Sequence, residues 1–392
     1  MSATPAQHRP PEAIDEQRLR ELVVCSLEPW DQVWRRNQFL TDELLRRRPQ
    51  LRVLFVEPPS DVLFDLSQRR RPLPPRVKTL RTDERLYALR PLKLLPRRLG
   101  PLSDRVLLHR VIDASRRLGF TRPTLWLNDV TYAPLIRSTG WPAVYDVTDD
   151  WLLAPSSVRE VARLRKLDEL ALAQSQEVVV CSPALATSRG RDRAVTLIPN
   201  GVDTEHLRRP RPRPSDLPPA PTAVYVGTLH EARLDVELVV ELARALRTLS
   251  LVLVGPDALG AQARRMLGAE PNVHLLGARP YADVPAYLQH ADVVLVPHRV
   301  TPFTESLDPI KAYECLALLT PTVATPVAGF RELADDVTIA AAESFVAAVR
   351  ATLSAPPSGR PVRMLPSWAD RARMFELVLV RANAPAARVT AA

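Results

Sequence analysis

Short apolar runs without polar alternation recur along this chain, and most lead into a segment of helical spacing. In the first half they are LVVCSLEPW (22–30), LRVLFVEPP (51–59), TLWLND (124–129), AVYDVTDDW (143–151), EVVVCSP (177–183) and AVTLIPNGVD (194–203). In the second half they are TAVYVGTLHEARLD (222–235), LVLVGP (251–256), NVHLLGARPY (272–281) and DVVLVPHR (292–299). Strands that are apolar throughout are buried on both faces, which calls for a parallel sheet with helices on either side. Helical segments fit between them: one carrying Val33, Phe39, Leu40, Leu44 and Leu45, others near 103–118, 131–138 and 157–175, and in the second half 235–249, 258–267 and 283–291. RRPRPRPSDLPPAP (208–221) separates the two rhythms as a linker, held extended by its prolines. The expected class is α/β, with two halves and a cleft between them. SWADRARMFELVLVRA (367–382) reads as a closing helix with Trp368, Met374, Phe375 and Val378 on its apolar face.

Several functions are excluded at this stage. No GxGxxG follows a strand and no GxxxxGK[ST] is present, which argues against a dinucleotide-dependent dehydrogenase and a P-loop nucleotidase. The chain has only 12 glycines against 39 prolines, so any phosphate site must use few glycine loops. The net charge of +9 is too diffuse to indicate nucleic acid and suits phosphate-bearing or acidic-membrane partners. Cys25, Cys181 and Cys315 lack metal-ligand spacing and sit in apolar runs, as reduced core residues of a cytosolic protein do. No apolar run approaches the roughly 18 residues of a membrane span, and the N-terminus lacks a signal-peptide core.

One stretch, PFTESLDPIKAYECLALLTPTVAT (302–325), reads as loop, helix and short buried strand. Asp308 is the expected N-cap and Pro309 the first helical residue. An anion at this N-terminus would meet backbone N–H groups and the positive end of the helix dipole, with Lys311 beside it. Glu314 is placed to accept hydrogen bonds from neighbouring hydroxyls. A capped core helix whose Glu314 merely pairs with a neighbouring cation is the alternative.

Ligands of open α/β sheets bind beyond the carboxyl ends of the strands. Here those ends carry Glu28, Trp30, Asp31, Glu57, Asn128, Asp129, Asp149, Asp150 and Asn200, an acidic and amide-rich rim able to hold hydroxyls. Asp149 and Asp150 are equally suited to cap the helix after them. Residues 67–98, including SQRRRPLPPRVKTLR and RPLKLLPRRLGPL, break the rhythm. They read either as solvated loops or as a basic rim for anionic lipid heads, at about 1 kcal/mol per basic residue near such a surface.

IPNGVD before the linker, YVGTL, LVLVGP, VHLLGARPYADVPAYLQHADVVLVP and the Glu-bearing helix together resemble a GT-B glycosyltransferase of the retaining Glu-x7-Glu type, family 4-like. VCSLEPWDQVWRRNQFL, VLFVEPP, YDVTDDW and DPIKAYECLA are similar to glycosyltransferases of teichuronic acid synthesis. The resemblance spans about 22–380. It implies two Rossmann-like domains facing each other across a cleft, with the C-terminal helix crossing back to the N-domain. The implied division is a disordered lead (1–20), an acceptor domain (21–205) with the basic insert 67–98, a linker (206–221), a donor domain (222–365) and the crossing helix and tail (366–392).

Carried over by position, Glu314 matches the family's ribose-binding second Glu. The first Glu falls at Ser306, with Glu305 one position off, and Leu307, Asp308 and Pro309 replace the Gly-Phe-Gly loop. Of the diphosphate-clamping pair, the Lys position is Arg233 and the Arg position Thr228; His230 lies between them, either assisting or simply at the surface. Leu319 stands where a glycine usually closes the Glu helix. The resemblance thus implies Arg233, Lys311 and Glu314 as catalytic, and Gly227, Thr228, His230, Glu305, Ser306, Asp308 and Pro309 as further donor-binding residues. Trp30, Asp31, Asn128, Asp129, Asp149 and Asp150 become the acceptor-binding set.

The implied reaction moves a sugar, with retention, from a nucleoside-diphosphate-sugar to a glycan, lipid-linked or small-molecule hydroxyl, in cell-envelope polysaccharide or glycoconjugate synthesis. No cofactor and no essential metal are expected. The expected location is the cytoplasm, with peripheral contact at the inner membrane face through 67–98. The halves are expected to close on the donor. A catalytically degenerate scaffold, a sugar-nucleotide epimerase on the same fold and a polyanion-binding protein stand as alternatives.

Overall fold

The computed structural model describes residues 19–61, 77–81, 83–93, 100–355 and 363–384. The expected disordered lead, apart from its last two residues, lies outside these, as do residues 67–76, 82 and 94–98 of the basic stretch. Sixteen strands are described: β1 Glu21–Cys25, β2 Arg52–Val56, β3 Ser60–Asp61, β4 Val77–Thr79, β5 Leu86–Leu89, β6 Leu92–Lys93, β7 Thr124–Leu127, β8 Ala143–Val147, β9 Glu177–Val180, β10 Thr196–Leu197, β11 Thr222–Val226, β12 Ser250–Val254, β13 Val273–Gly277, β14 Val293–Val296, β15 Thr322–Ala324 and β16 Thr338–Ile339.

The first sheet runs β10-β9-β8-β7-β1-β2-β5-β4 and is parallel except for β4, which is antiparallel to β5. The second runs β13-β12-β11-β14-β15-β16 and is parallel throughout. A two-stranded pair, β3 with β6, stands apart. In each main sheet the strand order reverses beside the first strand, between β1 and β7 and between β11 and β14, and a crevice opens at such a point. Uniformly apolar strands let helices cover both faces. On one side of the first sheet Val23, Leu54 and Leu125 pack on Leu107, Leu108 and Val111 of the Gly100–Arg117 helix. On the other, Val24, Phe55 and Trp126, in register across three strands, pack on the Arg36–Arg47 and Trp368–Ala382 helices.

The Trp368–Ala382 helix belongs last in sequence and packs on the first domain. Ser367 and Asp370 close a capping box at its start. Trp368 stacks on Phe39 at 4.6 Å, Phe375 lies 4.4 Å from Trp126, and Glu376 takes Arg47 and Arg48 at 2.6 and 2.5 Å. The molecule therefore has two α/β domains facing each other and a C-terminal helix crossing back to the first.

Local expectations need correction. The basic stretch is not loop throughout: LYAL forms the buried strand β5 beside β2 because four successive apolar residues outweigh the flanking Arg and Pro. AVTLIPNGVD is strand only at Thr196–Leu197; beyond it the chain turns toward the second domain, and Val202 bridges to Ser367. The helix expected near 131–138 is a 3-10 turn at Val130–Tyr132 followed by Leu135–Thr139. The linker lies against the second domain, where Asp216 binds Arg279 at 2.5 Å and accepts from the Tyr287 hydroxyl at 2.8 Å.

Candidate functional site

β11 ends at Val226, and the N–H of the next residue, Gly227, donates to Val254 O at 2.9 Å. At Gly255, φ is +153°, and a Cβ there would lie 1.8 Å from Gly227 O, so only glycine lets the two strand ends approach. Half-buried Thr228 and fully buried Leu229 continue the chain into a turn in which the N–H groups of Arg233 and Leu234 both donate to His230 O at 2.9 Å. This turn aims the Arg233 guanidinium across the cleft, 2.7 Å from Asp149 and 5.5 Å from the Phe303 ring centre. His230 is exposed, and its Nδ1 accepts the Ala232 N–H at 3.1 Å, a local turn contact.

The Ile310–Leu318 helix follows β14. Contrary to the expected capping, its first residue is Ile310, and extended Pro309 occupies the cap position without a side-chain bond. The Asp308 carboxylate is instead taken by the Asn200 N–H at 2.5 Å and the Tyr313 hydroxyl at 2.8 Å, which ties the helix entrance to the end of the first domain. Burial pushes the Asp308 carboxyl above its ordinary range, against those two donors. One turn in, Lys311 and buried Glu314 form an ion pair. Leu319 closes the helix at φ 60°, the left-handed conformation a glycine would take more easily.

Ser306 is buried and spans the domains. Its hydroxyl donates to Phe303 O at 2.7 Å and accepts the Asp150 N–H at 3.3 Å, while its carbonyl accepts the Ser182 hydroxyl at 2.6 Å. Glu305 is paired with Arg331, one contact being 3.0 Å. The two neighbours thus face different partners, and neither is paired with Arg233 or Lys311.

Across the cleft, Asn128, Asp129 and Asp149 line a cavity of about 240 Å³ between the ends of β7 and β8 and the Val158–Gln174 helix. The Asn128 amide is taken up locally, accepting from Asn37 at 2.7 Å and donating to Thr148 at 3.1 Å and Asp146 O at 3.2 Å. Asp150 sits behind, bidentate with Arg189 at 2.9 and 3.1 Å. Neither Asp149 nor Asp150 caps the next helix; Ser157 does. Trp30 and Asp31 stand apart from this cavity. Trp30 packs on Phe55 and Trp34, and Asp31 accepts the Val33 N–H at 2.8 Å and pairs with Arg35 at 3.6 Å.

Two contributors escaped the sequence reading. Buried Arg36 pairs with buried Asp146 at 3.2 Å and reaches Asn200 Oδ1 at 3.2 Å, fixing the segment after β10 that meets Asp308. The signal was a carboxylate inside the apolar run AVYDV. His298, buried at the end of β14, has Nε2 3.3 Å from the Tyr225 hydroxyl, and its N–H donates to Thr325 at 3.1 Å. Burial first, then the Arg233 and Lys311 charges, pushes its imidazole down to about 3. A neutral histidine thus lies close to two cations on the second-domain wall.

Known proteins align with this chain. Residues 220–355 match the family described as "Glycosyl transferases group 1". A Bacillus subtilis (strain 168) protein that carries the name of a teichuronic acid biosynthesis glycosyltransferase, TuaH, is 27% identical over 222 residues. That alignment covers 52% of this chain and 55% of the relative, so the chain spans about half of that protein's length. HepE of Anabaena, solved with UDP-glucose, superposes with a TM-score of 0.57 at 16% identity, over 93% of this chain and 97% of that one. An alpha,alpha-trehalose-phosphate synthase (UDP-forming) from Burkholderia vietnamiensis superposes with a TM-score of 0.59 at 14% identity, over 93% and 96%. The chain therefore has a two-domain GT-B-like fold, and its residues 220–355 carry the sequence pattern of the group 1 glycosyl transferases.

Proposed function

We propose that this chain is a glycosyltransferase that moves a sugar from a nucleoside-diphosphate-sugar to a hydroxyl acceptor, with retention, in the synthesis of a cell-envelope polysaccharide or glycoconjugate. One observation carries the reading. Within the segment that matches the group 1 family, Arg233, Lys311 and the N-terminus of the Ile310–Leu318 helix share a wall beyond the ends of a parallel sheet, with buried Glu314 behind them. Positive charge at such a helix end suits a diphosphate, and a buried carboxylate suits ribose hydroxyls. The name of the B. subtilis relative supports the envelope assignment.

In the proposed reaction the glycosidic C–O bond to the diphosphate breaks as charge builds on the leaving group. Arg233, Lys311 and the helix N-terminus stabilise that charge, a contribution that is usually large. Asp149 gives up Arg233 to the diphosphate as the donor enters. The departing phosphate oxygen takes the acceptor proton as the new bond forms on the same face, so the protein supplies no base. The protein's cations balance the diphosphate, and activity is proposed to be independent of metal. We propose a cytoplasmic reaction, with basic residues of the 67–98 stretch other than those of the buried strand β5 as the ones that would contact anionic lipid. Among the described residues, no helix is long and apolar enough to cross a membrane.

Thermal shift with UDP, GDP, TDP and ADP, on wild type and Glu314→Ala, tests the donor site. A nucleotide at 100 times its Kd adds about 2.7 kcal/mol of stability. The expected result is a clear shift with one nucleotide that disappears in a variant still melting cooperatively. Absence of any shift in folded wild type would overturn the proposal. A shift without turnover would favour the non-catalytic scaffold, for which Ser306, locked between the domains in place of a donor-contacting Glu, is the motive.

A further inference from the structure

Building on the transferase reading, we propose that the cavity in the first domain receives one uncharged sugar ring and discriminates against phosphorylated sugars. Its volume of about 240 Å³ gives room for a single sugar ring. Three carboxylates line it, Asp129, Asp149 and Asp168, against one guanidinium, Arg189. That guanidinium is committed: it forks onto Asp150 at 2.9 and 3.1 Å and reaches Asp168 at 3.2 Å. Arg163, a cation acting on Asp129, is itself held by Asp104 at 2.9 Å and Glu160 at 3.1 Å. Arg233 reaches the rim from the second domain but is paired with Asp149.

The wall therefore offers acceptors, and carboxylates accept while sugar hydroxyls donate. Asp129 uses one oxygen for the Thr131 N–H at 2.9 Å, and burial raises its carboxyl above the ordinary range, as expected beside few donors. Trp151, 36% exposed at the wall and 5.3 Å from Phe303, gives a flat apolar surface for the C–H face of a ring. A sugar phosphate here would be desolvated against Asp129 and Asp168, and the one rim cation it could recruit, Arg233, is the one that the proposed donor diphosphate takes from Asp149, whereas a neutral ring meets no such penalty. Asp149 belongs both to this cavity and to the Arg233 pair, so a ring in the cavity lies next to the proposed diphosphate clamp.

Saturation-transfer NMR tests the proposal directly. The probes are the methyl pyranosides of glucose, galactose and mannose and the 6-phosphates of the same sugars, offered to wild type, Asp129→Asn and Trp151→Ala. At least one neutral glycoside is expected to bind wild type, about tenfold tighter than its 6-phosphate, a ratio that one or two unscreened like charges produce. Asp129→Asn retains an acceptor for the Thr131 N–H, and it is expected to narrow that ratio. Trp151→Ala is expected to weaken the neutral sugar. Equal or tighter binding of the phosphates, no binding of any neutral sugar, or indifference to both substitutions would overturn the proposal. The nucleotide shift reads the other domain separately. Nucleotide binding without sugar binding removes this inference and keeps the donor site; sugar binding without nucleotide binding does the reverse.

Discussion

His298 shows how one residue on the second-domain wall couples its chemistry to stability. Its ordinary value is 6.5 and its folded value about 3, so the unfolded chain binds a proton that the native protein refuses. The stability this contributes is fully present above pH 6.5 and is lost as pH falls from 6.5 toward 3. At pH 5.5 the loss is about 1.4 kcal/mol. His298→Gln keeps a polar partner for the Tyr225 hydroxyl and removes the titration. Between pH 7.5 and 5.5, urea unfolding of wild type should therefore lose about 1.4 kcal/mol more than that of the variant; equal losses would show that His298 is protonated in the native state. The residue was within reach of the strand-end rule that picked out Asn128 and Asp149, since it follows Pro297 at the end of DVVLVP. Its burial was not, because Tyr225 and Thr325 come from other strands. The Glu314–Lys311 ion pair matches one part of the alternative reading of that helix, a carboxylate paired with a neighbouring cation, here three residues away. Asp308 looked like a cap because Asp-Pro commonly begins helices. Only the tertiary position of Asn200 shows that its carboxylate is needed elsewhere.

At the scale of elements, the crossing helix illustrates what local pattern can specify. Its capping box and the spacing of Trp368, Phe375 and Val378 mark a helix with one apolar face. What that face meets is a tertiary fact: Phe375 is fully buried against Trp126 of β7 in the first domain. Phe375→Ala is expected to cost about 3–5 kcal/mol in denaturant unfolding, in the range of other buried aromatic truncations. A loss below about 1 kcal/mol would mean that the helix contributes little to the first domain. Most strands were readable because both-face burial leaves uninterrupted apolar runs. β5 was not, since LYAL is four residues long and its Arg and Pro neighbours dominate any window around it. The Pro183–Arg189 helix passed unread although Ser182 and Pro183 are a good start signal, because SP there also ends the strand run EVVVCSP. AVTLIPNGVD looked longer as a strand than it is; its second half is shaped by Asp308 and Ser367 from outside the domain.

For the whole molecule, the question is what holds the halves together. Near the chain crossing, Asn200 binds Asp308, and the Tyr281 N–H donates to Gln32 O at 2.7 Å, with the Tyr281 ring stacked on Trp34 at 6.0 Å. Spanning the cleft are the Asp149–Arg233 pair at 2.7 Å and the contacts of Ser306 with Asp150 and Ser182. The first group resembles a pivot and the second a clasp. A partly exposed ion pair contributes about 1 kcal/mol or less, and a hydrogen bond about 0.5–1.5 kcal/mol, so the clasp amounts to only a few kcal/mol. Every 1.4 kcal/mol shifts an open-to-closed ratio about tenfold. A ligand that competes with Asp149 for Arg233 exchanges one cross-cleft contact, worth about 1 kcal/mol or less, for its own. The double variant Asp149→Asn, Ser306→Ala loses the charge pair and the Asp150 contact while keeping the pivot. Small-angle scattering should then give a larger radius of gyration than for wild type, with unchanged circular dichroism. An unchanged radius would place the closing energy in the pivot, and entry of a donor would then have to proceed without separation of the domains.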